Sequence, residues 1–192
     1  MLLLAALAGG APAGALAQEA APAGAAAGLS APAGAPVASP AAQVAAKLRS
    51  GDKAGALRVA EEYLATHPRD AQMRFLRAVV LTDLNRTAEA VPVLEALIED
   101  FPELPESYNN LAVIRAGQGQ LPAAEHLLQL AIAAQPSYVT ARENLGDLYV
   151  SMAAAQYEQA ARLGANNSAD NAAIVRKLTL VRELGGRLRG AP

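Results

Sequence analysis

Few side chains in this sequence are of a type and spacing that could do chemistry. There are two histidines, His67 and His126, and no cysteine. His67 stands directly before Pro68 and reads as a helix C-terminal group, where a cation opposes the helix dipole. His126 follows Glu125 on an apolar-periodic stretch, and neither histidine has a triad or a metal set near it. A catalytic site needs a nucleophile or base, a group that orients it and a donor for developing charge. The carboxylates come as adjacent pairs, Glu61-Glu62 and Glu99-Asp100. Adjacent residues of a helix do not face each other, so both pairs read as solvated. Gly117-Gln118-Gly119 has two glycines of a phosphate loop, but it follows a helix rather than a strand. It also lacks the third glycine and the lysine that such a loop needs. The expectation is a protein that is not an enzyme, with no catalytic residue, no cofactor and no metal.

Composition points the same way. The chain has 192 residues, enough for one domain with extensions. Hydrophobic residues make up 53%, much of it alanine, while aromatics make up 4% and tryptophan is absent. Such a core must be held by many close helix contacts rather than by a few large anchors. A formal net charge of −2 and a pI near 5.7 supply neither the basic stripe of a nucleic-acid binder nor the basic cluster of an anionic-lipid binder. Without cysteine there is no disulfide framework and no thiolate metal site.

The N-terminus carries an address. Leu2 to Ala8 is a short apolar run, followed by Gly9, Gly10 and Pro12, and then by Ala15-Leu16-Ala17 before Gln18-Glu19. An apolar run closed by an A-x-A site is the pattern of a secretory signal peptide. No Lys or Arg precedes the run. A membrane span needs about 20 apolar residues, and Pro12 interrupts this one too early. Residues 1–17 are therefore expected to be a signal peptide, and the remainder is expected to be periplasmic and not an integral membrane protein after cleavage. Residues 18–40 are almost entirely Ala, Pro, Gly and Ser, and APAG at 21–24 and 31–34 echoes the same tetrapeptide at 11–14, across the expected cleavage site. Proline at this density blocks both helix and sheet ladders, and little here can offset ordering entropy. This segment is expected to be a disordered tether.

Beyond Pro40 the pattern is helical, with apolar residues at three- and four-residue spacing. The punctuation is periodic. Pro68, Pro102 and Pro136 are 34 apart, and so are Ala56, Ala90 and Ala124. Ala60, Leu94 and Leu128, then Tyr63, Leu97 and Ala131, then Ala78, Ala112 and Gly146 follow the same steps. Within the clearest unit, Pro105 suits the first turn of a helix. Leu111-Ala112 is a large–small pair that lets a partner helix approach, and Gly117 and Gly119 mark a turn. Pro122 opens a second helix, Ala124, Leu128 and Ala131 share one face of it, and Pro136 ends it. An ordinary helical bundle requires no fixed period.

The unit resembles the tetratricopeptide repeat (TPR), a helix–turn–helix of 34 residues. Residues 105–138 match with Tyr108, Leu111-Ala112, Ala124, Leu128, Ala131 and Pro136. Residues 71–104 match with Ala78, Ala90, Leu94 and Pro102, with Leu97 in place of the late alanine. Residues 41–70 match with Gly51-Asp52, Ala56 and Pro68, with Tyr63 where alanine is usual. The resemblance covers about two thirds of the chain. It implies an all-α, right-handed α-α superhelix of helical hairpins with a C-terminal capping helix, of the secreted bacterial type.

The fourth unit, 139–167, starts in step and then shortens. Leu145-Gly146 and Tyr149 fall on the pattern, but Ala160 falls at position 22 of the unit rather than 27. The missing residues are those of the turn. Two helices are joined tightly, or one bent helix runs through Ser151–Ala155. Residues 168–188 are expected to form the cap, with Ile174, Leu178, Val181 and Leu184 as its apolar face and a polar outer face. A basic amphipathic membrane helix is the alternative.

A TPR array implies a concave surface for a protein partner, as a peptide or helical segment, with the first helix of each unit lining it. The family's groove positions fall on Phe75, Val79, Asn109, Asn110, Val113, Glu143, Asn144 and Asp147. Asn110 and Asn144 are candidates for holding a peptide backbone, since an amide both donates and accepts. Phe75 and Val79 occupy places where a carboxylate-clamping member needs polar groups, which argues against capture of a C-terminal carboxylate. The groove is expected to be apolar at its N-terminal end and acidic at its C-terminal end. Two functions follow. One is a periplasmic adaptor or scaffold that holds a partner segment in the groove. The other is a structural subunit of an envelope assembly that uses its outer faces or cap. The partner's identity and the oligomeric state are not legible in the sequence.

Overall fold

The computed structural model describes residues 38–164 and 168–190, with side chains in the last helix from Asn171 to Arg187. The expected signal peptide, the tether as far as residue 37 and the Asn166-Asn167 loop lie outside the described residues. Those residues form eight helices: α1 (Pro40–Arg49), α2 (Lys53–Thr66), α3 (Ala71–Asp83), α4 (Thr87–Asp100), α5 (Pro105–Gly117), α6 (Leu121–Ala134), α7 (Val139–Leu163) and α8 (Ser168–Gly190).

The three hairpin turns are built alike. Asp52, Arg86 and Gln120 donate their N–H to Lys47, Leu81 and Arg115, five residues back, at 2.8–2.9 Å. Gly51, Asn85 and Gly119 donate to Leu48, Thr82 and Ala116, three residues back. This pair of bonds is the Schellman closure, which satisfies orphan carbonyls and requires a left-handed residue just past the helix. Gly51, Asn85 and Gly119 have φ of 80°, 59° and 77°, and they too stand 34 apart. Glycine adopts that conformation without penalty, and asparagine tolerates it.

The second helix of each unit ends by a different device. His67, Phe101 and Gln135 leave the helix with φ between −130° and −140° and donate to Tyr63, Leu97 and Ala131. Each precedes Pro68, Pro102 or Pro136, and a proline pushes the residue before it out of the helical region. At the first of these ends the Tyr63 ring stacks on His67 with centroids 4.3 Å apart. The Tyr63 hydroxyl also donates to Asp70 at 3.3 Å. That is why the aromatic is accommodated where alanine is usual.

The series ends at α7. Thirty-four residues past Gly119 stands Ala153, for which the left-handed conformation costs roughly 1–2 kcal/mol. Met152, Ala153, Ala154 and Ala155 are strong helix formers, so the chain makes no turn there. Val139 to Leu163 is one helix of 25 residues. The two-helix alternative for this unit is thereby set aside, and Tyr157 and Ala160 lie on the same helix as Leu145-Gly146. The partner of α7 is α8, which runs back along it. Arg182 meets Glu158 at 2.5 Å, and Lys177 sits 5.9 Å over the Tyr157 ring.

Packing follows the period. Ala56, Ala90 and Ala124 are fully buried, as are Ala60, Leu94 and Leu97. Small residues at these places let the hairpin helices approach. One apolar cluster joins α1 to α5, and a second joins α5 to α7. The third member of the Ala78, Ala112, Gly146 series differs. Gly146 is exposed, and a Cβ placed there would meet nothing within 4 Å. On α8, Leu178 is 8% exposed and Ile174 and Val181 are half-buried. Leu184, expected on that face, is 47% exposed, and Val175 and Leu180 are exposed on other sides of the helix. The outer side of this helix is thus not wholly polar, because α8 packs against a single helix, α7.

The helices form two layers. Each odd-numbered helix touches the next odd one, whereas even-numbered helices touch only odd ones. The odd layer has the tighter spacing and is therefore the inner, concave side of the curved stack.

Candidate protein-binding groove

The concave surface is built by the period. One position per odd helix runs along its floor: Ala45, Val79, Val113 and Asp147, each 34 from the last. A parallel row runs beside it through Ala41, Phe75, Asn109 and Glu143. Both rows change from apolar to polar between α1 and α7.

The eight expected groove residues do not all face solvent. Phe75 is half-buried and packs against the first core cluster, and Val79 is buried. Val113 and Asp147 are half-buried, and Glu143 is exposed. The three asparagines are almost wholly covered: Asn109 is 4% exposed, Asn110 6% and Asn144 7%. Asn144 Nδ2 donates to Asn109 Oδ1 at 2.8 Å, and Asn110 Nδ2 donates to the Glu106 carbonyl at 2.8 Å. The two amides picked out for a peptide backbone therefore have their donors engaged within the protein, where the Asn109–Asn144 pair ties α5 to α7. What the floor and its neighbouring row present outward is Phe75, Val113, Glu143 and Asp147.

Three polar residues at this end escaped the sequence reading. Ser107 Oγ and Tyr138 Oη are buried without a hydrogen-bond partner among the described residues. Burial pushes the Tyr138 phenol up to about 12; the Glu106 carboxylate pushes it the same way, and Thr140 opposes them. Glu106 itself lies one turn before Asn110. The signal that could have found it is the period, since 72, 106 and 140 are again 34 apart.

On the convex side some acids are ion-paired, Asp100 with Arg74 at 2.6 Å, Glu95 with Arg115 at 2.8 Å and Glu61 with Arg77 at 3.6 Å, whereas Glu125 accepts from Tyr149 at 3.0 Å. A shallow cleft of about 350 Å³ lies between α2 and α4, walled by Leu64, Pro92 and Val93 with Arg74 and Arg77 at its base. His67 and His126 are both exposed. Among the described residues no three His, Cys, Asp or Glu side chains are grouped to hold a metal. No helix there is long and apolar enough to cross a membrane.

Stacked helical hairpins with an open concave layer and buried alanine crossings define a helical-repeat scaffold. Residues 42–107 match the family model described as Tetratricopeptide repeat, and the hairpin pattern of that span continues through α5 and α6. The first TPR of Spaghetti (RPAP3), solved bound to an HSP90 peptide, is similar in fold with a TM-score of 0.53 and 14% identity, over 58% of this chain and 88% of that one. MamA from Desulfovibrio magneticus RS-1 is similar with a TM-score of 0.51 and 20% identity, over 79% of this chain and 76% of that one. A further MamA structure has a TM-score of 0.51 and 23% identity, over 76% of this chain and 80% of that one. No curated protein matches the chain significantly.

Proposed function

We propose that the protein is a non-catalytic adaptor or scaffold that holds a segment of a partner protein in its concave groove, and that it works in the periplasm. The observation that carries the groove reading is the row of positions 34 apart along the odd helices, which runs from Ala45, Val79 and Val113 to Asp147 and from Ala41 and Phe75 to Glu143. At its polar end Glu106, Glu143 and Asp147 have no ion-pair partner among the described residues. The fold relative bound to a peptide, SRMEEVD, supports a peptide or helical segment as the ligand. The Leu2–Ala8 run with its A-x-A site supports export. The second reading, a structural subunit of an envelope assembly, draws on the exposed Val175, Leu180 and Leu184 of α8.

Photo-crosslinking in intact cells separates the two. A crosslinker at Val113 is expected to capture a partner, and one at Leu180 is not. Capture at Leu180 alone would favour the structural reading. Purely cytosolic partners would sink the periplasmic assignment.

A further inference from the structure

The groove has a polarity, and polarity selects a kind of ligand. Along the floor, Ala45, Val79 and Val113 give way to Asp147. At the α5–α7 end the surface carries Glu106, Glu143 and Asp147, and among the described residues no lysine or arginine of those helices is ion-paired with them; Arg162 of α7 lies beside Glu158 at 3.7 Å. Arg115 is turned to the outer layer, held by Glu95 at 2.8 Å. Arg142 is turned to the preceding loop, where it donates to the Pro136 carbonyl at 2.9 and 3.1 Å. Carboxylates of one sign without ion-pair partners in a concave surface focus their field on an approaching ligand. The apolar end needs the opposite chemistry, because Phe75, Val79 and Val113 make no hydrogen bond through their side chains.

We propose that the groove selects a cationic amphipathic segment, with aliphatic side chains over α1–α3 and lysine or arginine side chains over α5–α7. This rests on the groove reading above and adds the partner's chemistry to it. Electrostatic complementarity of this kind governs specificity and association rate more than raw affinity. An acidic tail such as SRMEEVD, which the Spaghetti (RPAP3) repeat binds, would be repelled here.

The test uses the full chain and two labelled peptides, one with a run of lysines beside a run of leucines, the other with glutamates in place of the lysines. Fluorescence anisotropy is expected to show binding of the lysine peptide, weakening as salt is raised, and no binding of the glutamate peptide. The combined Glu106→Gln, Glu143→Gln and Asp147→Asn variant should bind the lysine peptide more weakly, on the order of tenfold. Glu99→Gln, on the outer layer, should bind as the parent does. Circular dichroism establishes that each variant is folded. Equal binding of both peptides, an unchanged affinity in the triple variant, or no binding of the lysine peptide overturns the proposal. If affinity ignores the triple variant but is lost in Val113→Glu, the charge preference falls and the groove reading stands. If no concave substitution changes binding, both fall.

Discussion

Asn144 on α7 donates its side-chain amide to Asn109 Oδ1 on α5 at 2.8 Å, joining residues 35 apart in sequence within a covered interface. It is the one side-chain hydrogen bond between odd helices among the described residues, and it sits where the concave layer turns polar. A buried acceptor that loses its donor incurs the desolvation penalty of that group. Asn144→Leu should therefore destabilise the protein by about 1–3 kcal/mol, read as a lowered midpoint in urea at constant slope. In a double-mutant cycle with Asn109→Leu the two losses should be less than additive, since the second substitution removes the stranded acceptor. Strict additivity would show that the bond does not couple the helices.

The left-handed turn positions should respond according to residue type. Gly119→Ala should cost roughly 1–2 kcal/mol, although a Cβ there meets nothing within 4 Å, because the penalty lies in the backbone. Asn85→Gly should be neutral or stabilising, and Asn85→Val should destabilise. Thermal melts check this; a harmless Gly119→Ala would refute the Schellman account of the turns.

Gly146 is the opposite case. It is helical, exposed and unopposed, so its position on the repeat pattern no longer serves close packing. Gly146→Ala should raise stability by up to about 1 kcal/mol through helix propensity. A loss of that size would mean that another helix approaches closely there.

Alkaline stability should depend on Tyr138. Burial pushes its pKa up to about 12, above the ordinary phenol value of 10.0, so the folded state holds the phenolic proton more tightly than the unfolded one. The associated stability is present below pH 10 and is lost as pH rises from 10 to 12. Tyr63, raised first by burial and then by Asp70, acts in the same direction. Tyr138→Phe removes a buried hydroxyl that has no partner. It should leave neutral-pH stability unchanged or improved and flatten the loss above pH 10, as monitored by far-ultraviolet circular dichroism.

The repeat was legible because each of its positions has a single physical duty. Proline ends a helix, alanine permits a crossing, and those duties recur at fixed spacing whatever lies between. The turn series was half legible: Gly51 and Gly119 advertise a left-handed residue, but Asn85 meets the same demand with a different side chain and hid the third step. The fate of the fourth unit was open because a missing turn is an absence. Only the comparison of Ala153 with Gly51, Asn85 and Gly119 shows why α7 runs on. The burial of Asn109, Asn110 and Asn144 was not legible at all. Groove position follows from the period, but exposure depends on how closely neighbouring odd helices approach, and that is set by side chains on other units. Gly146 carries the same lesson, since a residue can keep its place in a repeat after its packing partner is gone.

The proposed binding face is the odd-helix layer, and nuclear magnetic resonance titration of the full chain with the lysine–leucine peptide maps it residue by residue. Binding there gives amide shift changes concentrated on α3, α5 and α7, around Val79, Val113, Glu143 and Asp147, with α2, α4 and α6 unchanged. Changes confined to the even helices or to the Val175–Leu184 side of α8 would contradict it.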